Sequence, residues 1–142
     1  MASEWYITSE WGYRCNVENV YNGCLHHSGI DFGNGPISGQ PLFPAAKGVI
    51  SYVAYGGGVW PGCGNYVAVW HEQLGYTTLY CHLDEVWVSN GQWVDPDISL
   101  GTVGKSGMSN GIHLHFGVFP GNQINSGDFN PREFFTKYGI NF

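Results

Sequence analysis

The segment from Gly107 to Val118 constrains the fold more than any other part of the chain, because a glycine-rich stretch leads there into an alternating apolar pattern. Successive side chains of a strand point to opposite faces, so His113 and His115 are expected to share one face. The apolar positions of the segment, which are expected to face a core, are Leu114, Phe116 and Val118. Two imidazoles on one face can be metal ligands, one ligand and one base, or surface residues. This segment alone leaves the three alternatives open.

The composition favours strands joined by turns over long helices. Of 142 residues, 22 are glycine, 16% are aromatic and only 11% are charged. Exposed helices need more charge than this, whereas aromatic and β-branched residues favour strands. The formal net charge of −6 and the lack of a basic patch exclude a nucleic-acid binder that tracks phosphates. No apolar run approaches the length of a membrane span, so we expect no membrane insertion. The composition and the chain length together predict one all-β domain over residues 1–142.

Four cysteines and the amino terminus bear on the cellular compartment. An even cysteine count in a small glycine-rich chain fits two disulfides and an oxidising environment, and no C-x-x-C spacing indicates a cysteine metal site. We expect Cys15–Cys24, which would staple the loop before His27, and Cys63–Cys81, which would require a bulge. The first six residues lack the features of a signal peptide, so the chain is either a trimmed mature domain or leaves the cell by another route.

Short elements are predicted along the chain, with Asn90-Gly91 as a hairpin turn and Asn130-Pro131 as the start of a helix. The predicted elements are a strand at 5–8, a turn at 11–14, strands at 47–55, 65–70, 77–82, 85–88 and 92–94, and a helix at 131–137. Within the 77–82 strand, alternation places Tyr80 and His82 on one face and Cys81 on the other.

Side chains that can bind a metal recur in a definite order. His27 and Asp31 have the spacing H-x-x-x-D, and an imidazole and a carboxylate are both good zinc ligands. His82 follows, and then the pair at 113 and 115. Three ligands with one open position are the arrangement of a catalytic zinc, and two further histidines could transfer protons. His26 is expected to be an exposed neighbour of a ligand.

With these residues laid out, the chain resembles the lysostaphin-type (LytM-type) zinc metallopeptidases, the glycyl-glycine endopeptidase family. The matching motifs, in the family's order and spacing, are "HSGIDFG", "YCHLDEVWVSNGQWV" and "GKSGMSNGIHLHFGV". The segments "SEWGYR" and "NPREFF" are similar to the family's opening and closing segments. The resemblance covers nearly the whole chain, and its departures, such as Asn110 in place of a more usual threonine and the neighbouring His26, leave the ligand positions unchanged.

The resemblance implies one zinc ion per chain, bound by His27, Asp31 and His115, with His82 and His113 as catalytic histidines. Which of these two is the base stays open. It also implies a curved antiparallel sheet whose metal lies in a groove walled by loops. The implied reaction is hydrolysis of a peptide bond of bacterial peptidoglycan, outside the cytoplasm, by a bacterial or phage-encoded protein that we expect to be a monomer.

Two other classes are weighed against this enzyme. Some members of the group have lost ligands and act as regulators of wall hydrolases, but all five site residues are present here. A carbohydrate-binding module would explain the tryptophan content but not those five residues. The side chains of Trp60, Trp87 and Trp93 either line the groove or pack in the core, and Tyr80 is expected to reach the site. The bond cleaved, glycine–glycine or one involving D-Ala, stays open.

Overall fold

The computed structural model describes residues 6–15, 24–33, 39–107, 111–125 and 127–140. Its elements, in chain order, are β1 (Tyr6–Ser9), β2 (Gly12–Cys15), β3 (Cys24–His27), β4 (Gly29–Gly33), β5 (Pro41–Leu42), β6 (Gly48–Tyr55), a 3₁₀ turn (Pro61–Cys63), β7 (Asn65–His71), β8 (Tyr76–Val86), β9 (Trp93–Val94), β10 (Gly101–Val103), β11 (Leu114–Pro120) and α1 (Pro131–Tyr138). Across these ranges, the prediction of a sheet protein closed by one short helix is confirmed.

Nine strands form one sheet in which the neighbouring strands run antiparallel. The order along the sheet is β1-β4-β11-β8-β7-β6-β9, and β10 joins it by pairing with both β5 and β8. Strands β2 and β3 form a separate two-stranded sheet, which we call the ribbon. Within the described ranges, no helix has the length and hydrophobicity that crossing a membrane requires.

Alternation along the central strands separates a large core from the opposite face of the sheet. Phe116 of β11 and Phe32 of β4 are buried in the large core, where they pack against Phe135 of α1. Asp31 directly precedes Phe32, and His115 directly precedes Phe116. Because successive side chains of a strand alternate, Asp31 and His115 lie on the opposite face of the sheet. A smaller apolar cluster covers part of that face, and its members include Leu79, Cys81, Phe119 and Ile124.

The helix begins where its sequence signals predict. The Asn130 side chain accepts a hydrogen bond from the backbone N–H of Arg132 (3.0 Å), and Pro131 occupies the first turn. Gly139 ends the helix in the left-handed conformation at φ 64°. Burial of Phe134 and Phe135 fixes α1 against the sheet, so the segment that follows β11 is tied to the core.

Two predicted elements are wrong. Residues 12–15 form strand β2 instead of continuing a turn, because they pair with β3 in the ribbon. The predicted hairpin around Asn90-Gly91 also fails, although the turn itself forms. Strand β9 pairs with β6, because β10 already occupies the edge of β8 at Val86.

The disulfide between Cys63 and Cys81 is present, and the two Cα atoms are 4.8 Å apart. The bulge that this bridge was predicted to need is also present. Val67 pairs with Tyr80, and Asn65 pairs with Leu83. Between these two pairs β7 moves by two residues and β8 by three, which leaves one extra residue on β8. The backbone pairs Cys15 directly with Cys24, but their side chains lie outside the described part of the structure, so that disulfide stays a prediction.

Candidate metal centre

Asp31 and His115 are brought together by direct strand pairing. They are Cα partners on β4 and β11, and His115 Nδ1 lies 2.9 Å from Asp31 Oδ1. Gly29 permits the close approach of these strands: a Cβ at that position would collide with the backbone oxygen of Phe116 and would lie 2.9 Å from His115 Nε2. The first glycine of "HSGIDFG", Gly29, is therefore needed because a side chain there would prevent β4 and β11 from pairing this closely.

His27, at the end of β3, reaches the same point from the ribbon. Its Nδ1 lies 2.7 Å from the carbonyl oxygen of Glu10, and since a carbonyl only accepts, Nδ1 carries the proton. The lone pair of Nε2 then points to the other two side chains, at 3.2 Å from His115 Nδ1 and 3.3 Å from Asp31 Oδ1. The backbone of Glu10 thus selects the tautomer in which Nε2 can bind a metal.

The donor set of His27, Asp31 and His115 fits a small divalent cation. The three ligand atoms lie within 4.8 Å of one another. A tetrahedral zinc with bonds of about 2.0–2.1 Å would hold its ligand atoms roughly 3.3 Å apart, close to the separations of 2.9–3.3 Å found here. One shared proton cannot satisfy three converging acceptors, whereas one cation can.

The carboxyl group of Asp31 is held in its ionised form. Burial acts to raise its pKa, but the polar contacts of its carboxylate with the rings of His115 and His27 outweigh burial and hold the pKa well below the usual range. A carboxylate ionised at neutral pH is the form that binds a metal.

His82 lies on the same side of the sheet as His115 because of the bulge in β8. Regular alternation would place it beside Tyr80 in the large core, but the extra residue lets Leu83 take that place. His82 has φ 67°, and it is the one residue other than glycine with a positive φ in the described ranges. Its ring centroid lies 4.7 Å from that of His113 and 6.3 Å from that of His115. A positive φ strains the backbone of a residue other than glycine, and such strain persists only where the surrounding contacts enforce it.

Ser106 and Asn65 support this bulge, and the sequence reasoning missed both. The carbonyl oxygen of Ser106 accepts from His82 Nδ1 (2.7 Å), while its hydroxyl donates to Leu83 O (2.6 Å) and accepts from Asn65 N (3.0 Å). The Asn65 amide donates to Leu83 O as well (3.1 Å). Burial lowers the pKa of His82, against the opposing effect of the Ser106 carbonyl, so the ring is neutral at neutral pH with its lone pair on Nε2.

His113 lies just before β11, which begins at Leu114. Its Nδ1 is 3.0 Å from the carbonyl oxygen of Gly111, which again leaves the lone pair on Nε2. That Nε2 lies 3.8 Å from Asp31 Oδ1, beyond hydrogen-bonding distance. His82 and His113 therefore stand beside the three-residue group, and both present Nε2.

Two other residues differ from their predicted positions. Tyr80 does not reach the site: it is fully buried, and its hydroxyl lies 2.9 Å from Thr78 Oγ1 and accepts from Ala45 N at 2.8 Å. The bulge explains the error, since it separates Tyr80 and His82 onto different faces. His26 is only partly exposed and contacts Asp128, a residue that the sequence reasoning missed.

The three tryptophans differ in burial. Trp60 is partly buried against the smaller apolar cluster, and its indole donates to Ile124 O at 2.7 Å. Trp87 and Trp93 are 54% and 55% exposed, so neither packs in the core. Core packing therefore accounts for Trp60 alone among the three.

Solved structures share this fold. The catalytic domain of the antimicrobial peptidase lysostaphin from Staphylococcus simulans matches with a TM-score of 0.76 at 24% identity, over 93% of this chain and 92% of that one. A zinc-containing peptidase from Vibrio cholerae matches with a TM-score of 0.69 at 31% identity, over 87% of this chain and 36% of that one.

Sequence comparisons agree with the structural ones. The DD-carboxypeptidase/endopeptidase Mpg of Neisseria meningitidis is 34% identical over 110 residues, which are 78% of this chain and 23% of that protein. The peptidoglycan DD-endopeptidase ShyC of Vibrio cholerae is 34% identical over 63% of this chain and 19% of its own length. The chain thus spans about a fifth of the length of these relatives. The model of Peptidase family M23 matches residues 25–130, and the chain belongs to that family.

Proposed function

We propose that this chain is a zinc-dependent endopeptidase domain that hydrolyses peptide bonds of bacterial peptidoglycan. The observation that carries the proposal is the convergence of His27 Nε2, Asp31 Oδ1 and His115 Nδ1, with the rings of His82 and His113 beside them. Membership of Peptidase family M23 supports it, as do the names of relatives that act as endopeptidases.

In this proposal the three converging residues hold one zinc ion per chain. Bound there, zinc supplies a Lewis acid that polarises a carbonyl and acidifies water. Asp31 contributes one negative charge and the two imidazoles contribute none, so the site keeps net positive charge with the ion present. Pairing of β4 with β11 holds Asp31 and His115, and the Glu10 carbonyl orients His27.

His82 and His113 are the proposed residues for proton transfer and hydrogen bonding during hydrolysis of the peptide bond. Each ring has its Nδ1–H directed to a backbone carbonyl, so each exchanges a proton only at Nε2. One ring uses the lone pair of its Nε2 to accept a proton from the attacking water. The other ring donates a hydrogen bond to the oxygen that gains charge on the peptide carbonyl, and for this role it must first take up a proton at Nε2 from solvent. The backbone contacts fix both rings before substrate binds, which reduces the reorganisation needed during the reaction.

The proposed partners are peptides of the bacterial cell wall, either stem-peptide links or cross-bridges. The Cys63–Cys81 disulfide favours an oxidising place of action, which is the periplasm, the extracellular side of the wall or the medium. We propose a monomer, because the residues that would bind zinc all come from one chain.

Digestion of purified peptidoglycan with the zinc-loaded protein tests this function. We expect new amino termini and no new reducing sugar ends, and His115→Ala should release neither. Mass spectrometry of fragments from walls with glycine bridges and walls with direct D-Ala links identifies the bond. Zinc binding without any cleavage would favour the regulatory alternative, and release of reducing ends would make the protein a glycosidase.

A further inference from the structure

The three converging side chains are held by different parts of the fold. Asp31 and His115 lie on paired strands of the large sheet. His27 ends β3 of the ribbon, which is not hydrogen-bonded into the nine-stranded sheet by strand pairing. Only Ser28 separates His27 from β4, so the direction of its ring, more than the place of its backbone, depends on the contacts that hold the ribbon against the rest of the protein.

Asp128 provides one of these contacts. Its Oδ2 accepts from the indole Nε1 of Trp11 (2.7 Å), which directly precedes β2, and lies 2.6 Å from Nε2 of His26, which precedes His27 on β3. A single carboxylate oxygen thus contacts both the residue that precedes β2 and a residue of β3. The His26 and Asp128 side chains are 30% and 20% exposed, so solvent screens this contact less than it screens a surface pair.

Arg132 provides a second contact, directed at the residue that orients His27. Its Nε and Nη2 donate to the two carboxylate oxygens of Glu10 at 2.8 and 2.7 Å. The backbone carbonyl of the same Glu10 accepts from His27 Nδ1. Both side chains are about half exposed, so the pair adds little stability, but its forked geometry fixes direction.

Asp128 and Arg132 are themselves anchored to the strand that carries His115. The backbone N–H of Phe129 donates to Val118 O of β11 at 2.7 Å. In α1, the ring of Phe135 stacks on Phe116 of β11, with centroids 5.2 Å apart. The segment 128–135 therefore connects β11 to the ribbon, and hence His115 to His27.

We propose that Asp128 and Arg132 form a latch that positions His27 for metal binding. We call them positioning residues, because they act through the ribbon and do not belong to the converging group. Glu10, Trp11 and Arg132 lie outside the residues 25–130 that the family model matches, whereas His26 and Asp128 lie within them. The proposal rests on the proposed role of His27 as a zinc ligand.

Zinc affinity, measured by competition with a chelating dye, tests the latch. Asp128→Ala should weaken zinc binding about 10–100-fold, as is usual when a contact that orients a ligand is lost. Arg132→Gln should weaken it less, because that contact is exposed. Asp97→Ala is the matched control, since it removes the same charge from an exposed side chain of the loop between β9 and β10 and should bind zinc like the unsubstituted protein.

Two further readouts separate positioning from a general loss of structure. Circular dichroism of the metal-free variants should show that they are folded at the temperature of the titration. Hydrolysis by Asp128→Ala should recover as free zinc is raised, and the visible spectrum of its cobalt-substituted form should change. If Asp128→Ala does not fold without metal, Arg132→Gln decides alone.

Zinc affinity equal to that of Asp97→Ala in both variants would overturn the latch. If the unsubstituted protein binds zinc and Asp128→Ala binds it weakly, but neither cleaves peptidoglycan, the latch stands and the proposed function fails. If the unsubstituted protein does not bind zinc, both proposals fail.

Discussion

Replacing His82 by glycine is expected to give a more stable protein than replacing it by alanine, which reverses the usual order in a strand. Both substitutions remove the imidazole and its bond to Ser106, so their difference isolates the backbone at φ 67°. An L-residue in the left-handed region costs roughly 1–2 kcal/mol, which glycine avoids. Glycine loses about 0.5–1 kcal/mol in return through its greater freedom in the unfolded chain. The balance favours His82→Gly by about 0.5–1 kcal/mol.

Urea unfolding of the metal-free proteins measures this difference without a contribution from bound metal. Glu85 provides the control, because it is an exposed residue of the same strand without a positive φ. There, the glycine variant should be less stable than the alanine variant by about 0.5–1 kcal/mol. If the glycine variant is less stable than the alanine variant at position 82 by as much as at position 85, the backbone of the bulge is not strained.

Three other substitutions or conditions give separate tests. Gly29→Ala should separate β4 from β11, because its Cβ collides with the backbone of Phe116, and we expect a loss of about 1–3 kcal/mol in urea unfolding together with weaker zinc binding. His71 is fully buried, and burial lowers its pKa from 6.5, so its contribution to stability is complete above pH 6.5 and is lost as pH falls below it. In His71→Gln the fall in unfolding free energy between pH 6.5 and 5 should therefore be shallower, by at most about 1.4 kcal/mol per pH unit, and an unchanged slope would contradict this. Thiol titration in denaturant without reductant should find Cys63 and Cys81 oxidised, and two free thiols from this pair would refute the disulfide.

Local sequence signals predicted the elements that depend on near neighbours. Alternation placed Leu114 and Phe116 in the core, and the Asn130-Pro131 signal located the helix start at its observed position, Pro131. Asp31 and His115 share a face for the same reason, but the sequence predicted no strand at Asp31. These positions are set by side-chain period and capping, both of which can be seen in a short stretch of sequence.

The position of His82 could not be predicted in the same way. Its place depends on a bulge that is supported by Ser106 and Asn65, which are 24 and 17 residues away in the chain. Alternation alone placed Tyr80 beside it, which is wrong. The requirement for a bulge between Cys63 and Cys81 was the one available signal, and applied to His82 it would have indicated the change of face.

The contacts of Asp128 were missed for a similar reason. Asp128 is separated from Trp11 by 117 residues and from His26 by 102, and no periodic pattern connects them. Pairing of β9 with β6 in place of the predicted hairpin likewise depended on competition from β10 for the edge of β8. Such features are decided by competition between segments that are distant in the sequence, so local sequence patterns do not predict them.

The zinc content and peptidoglycan hydrolysis rate of His115→Ala and His113→Ala, measured side by side, test the central claim most directly. The two residues lie two positions apart, but only His115 belongs to the converging group. His115→Ala should lose both zinc and activity. His113→Ala should retain about one zinc per chain while its rate falls roughly 10²–10⁴-fold. Loss of zinc from His113→Ala with retention in His115→Ala would contradict the assignment.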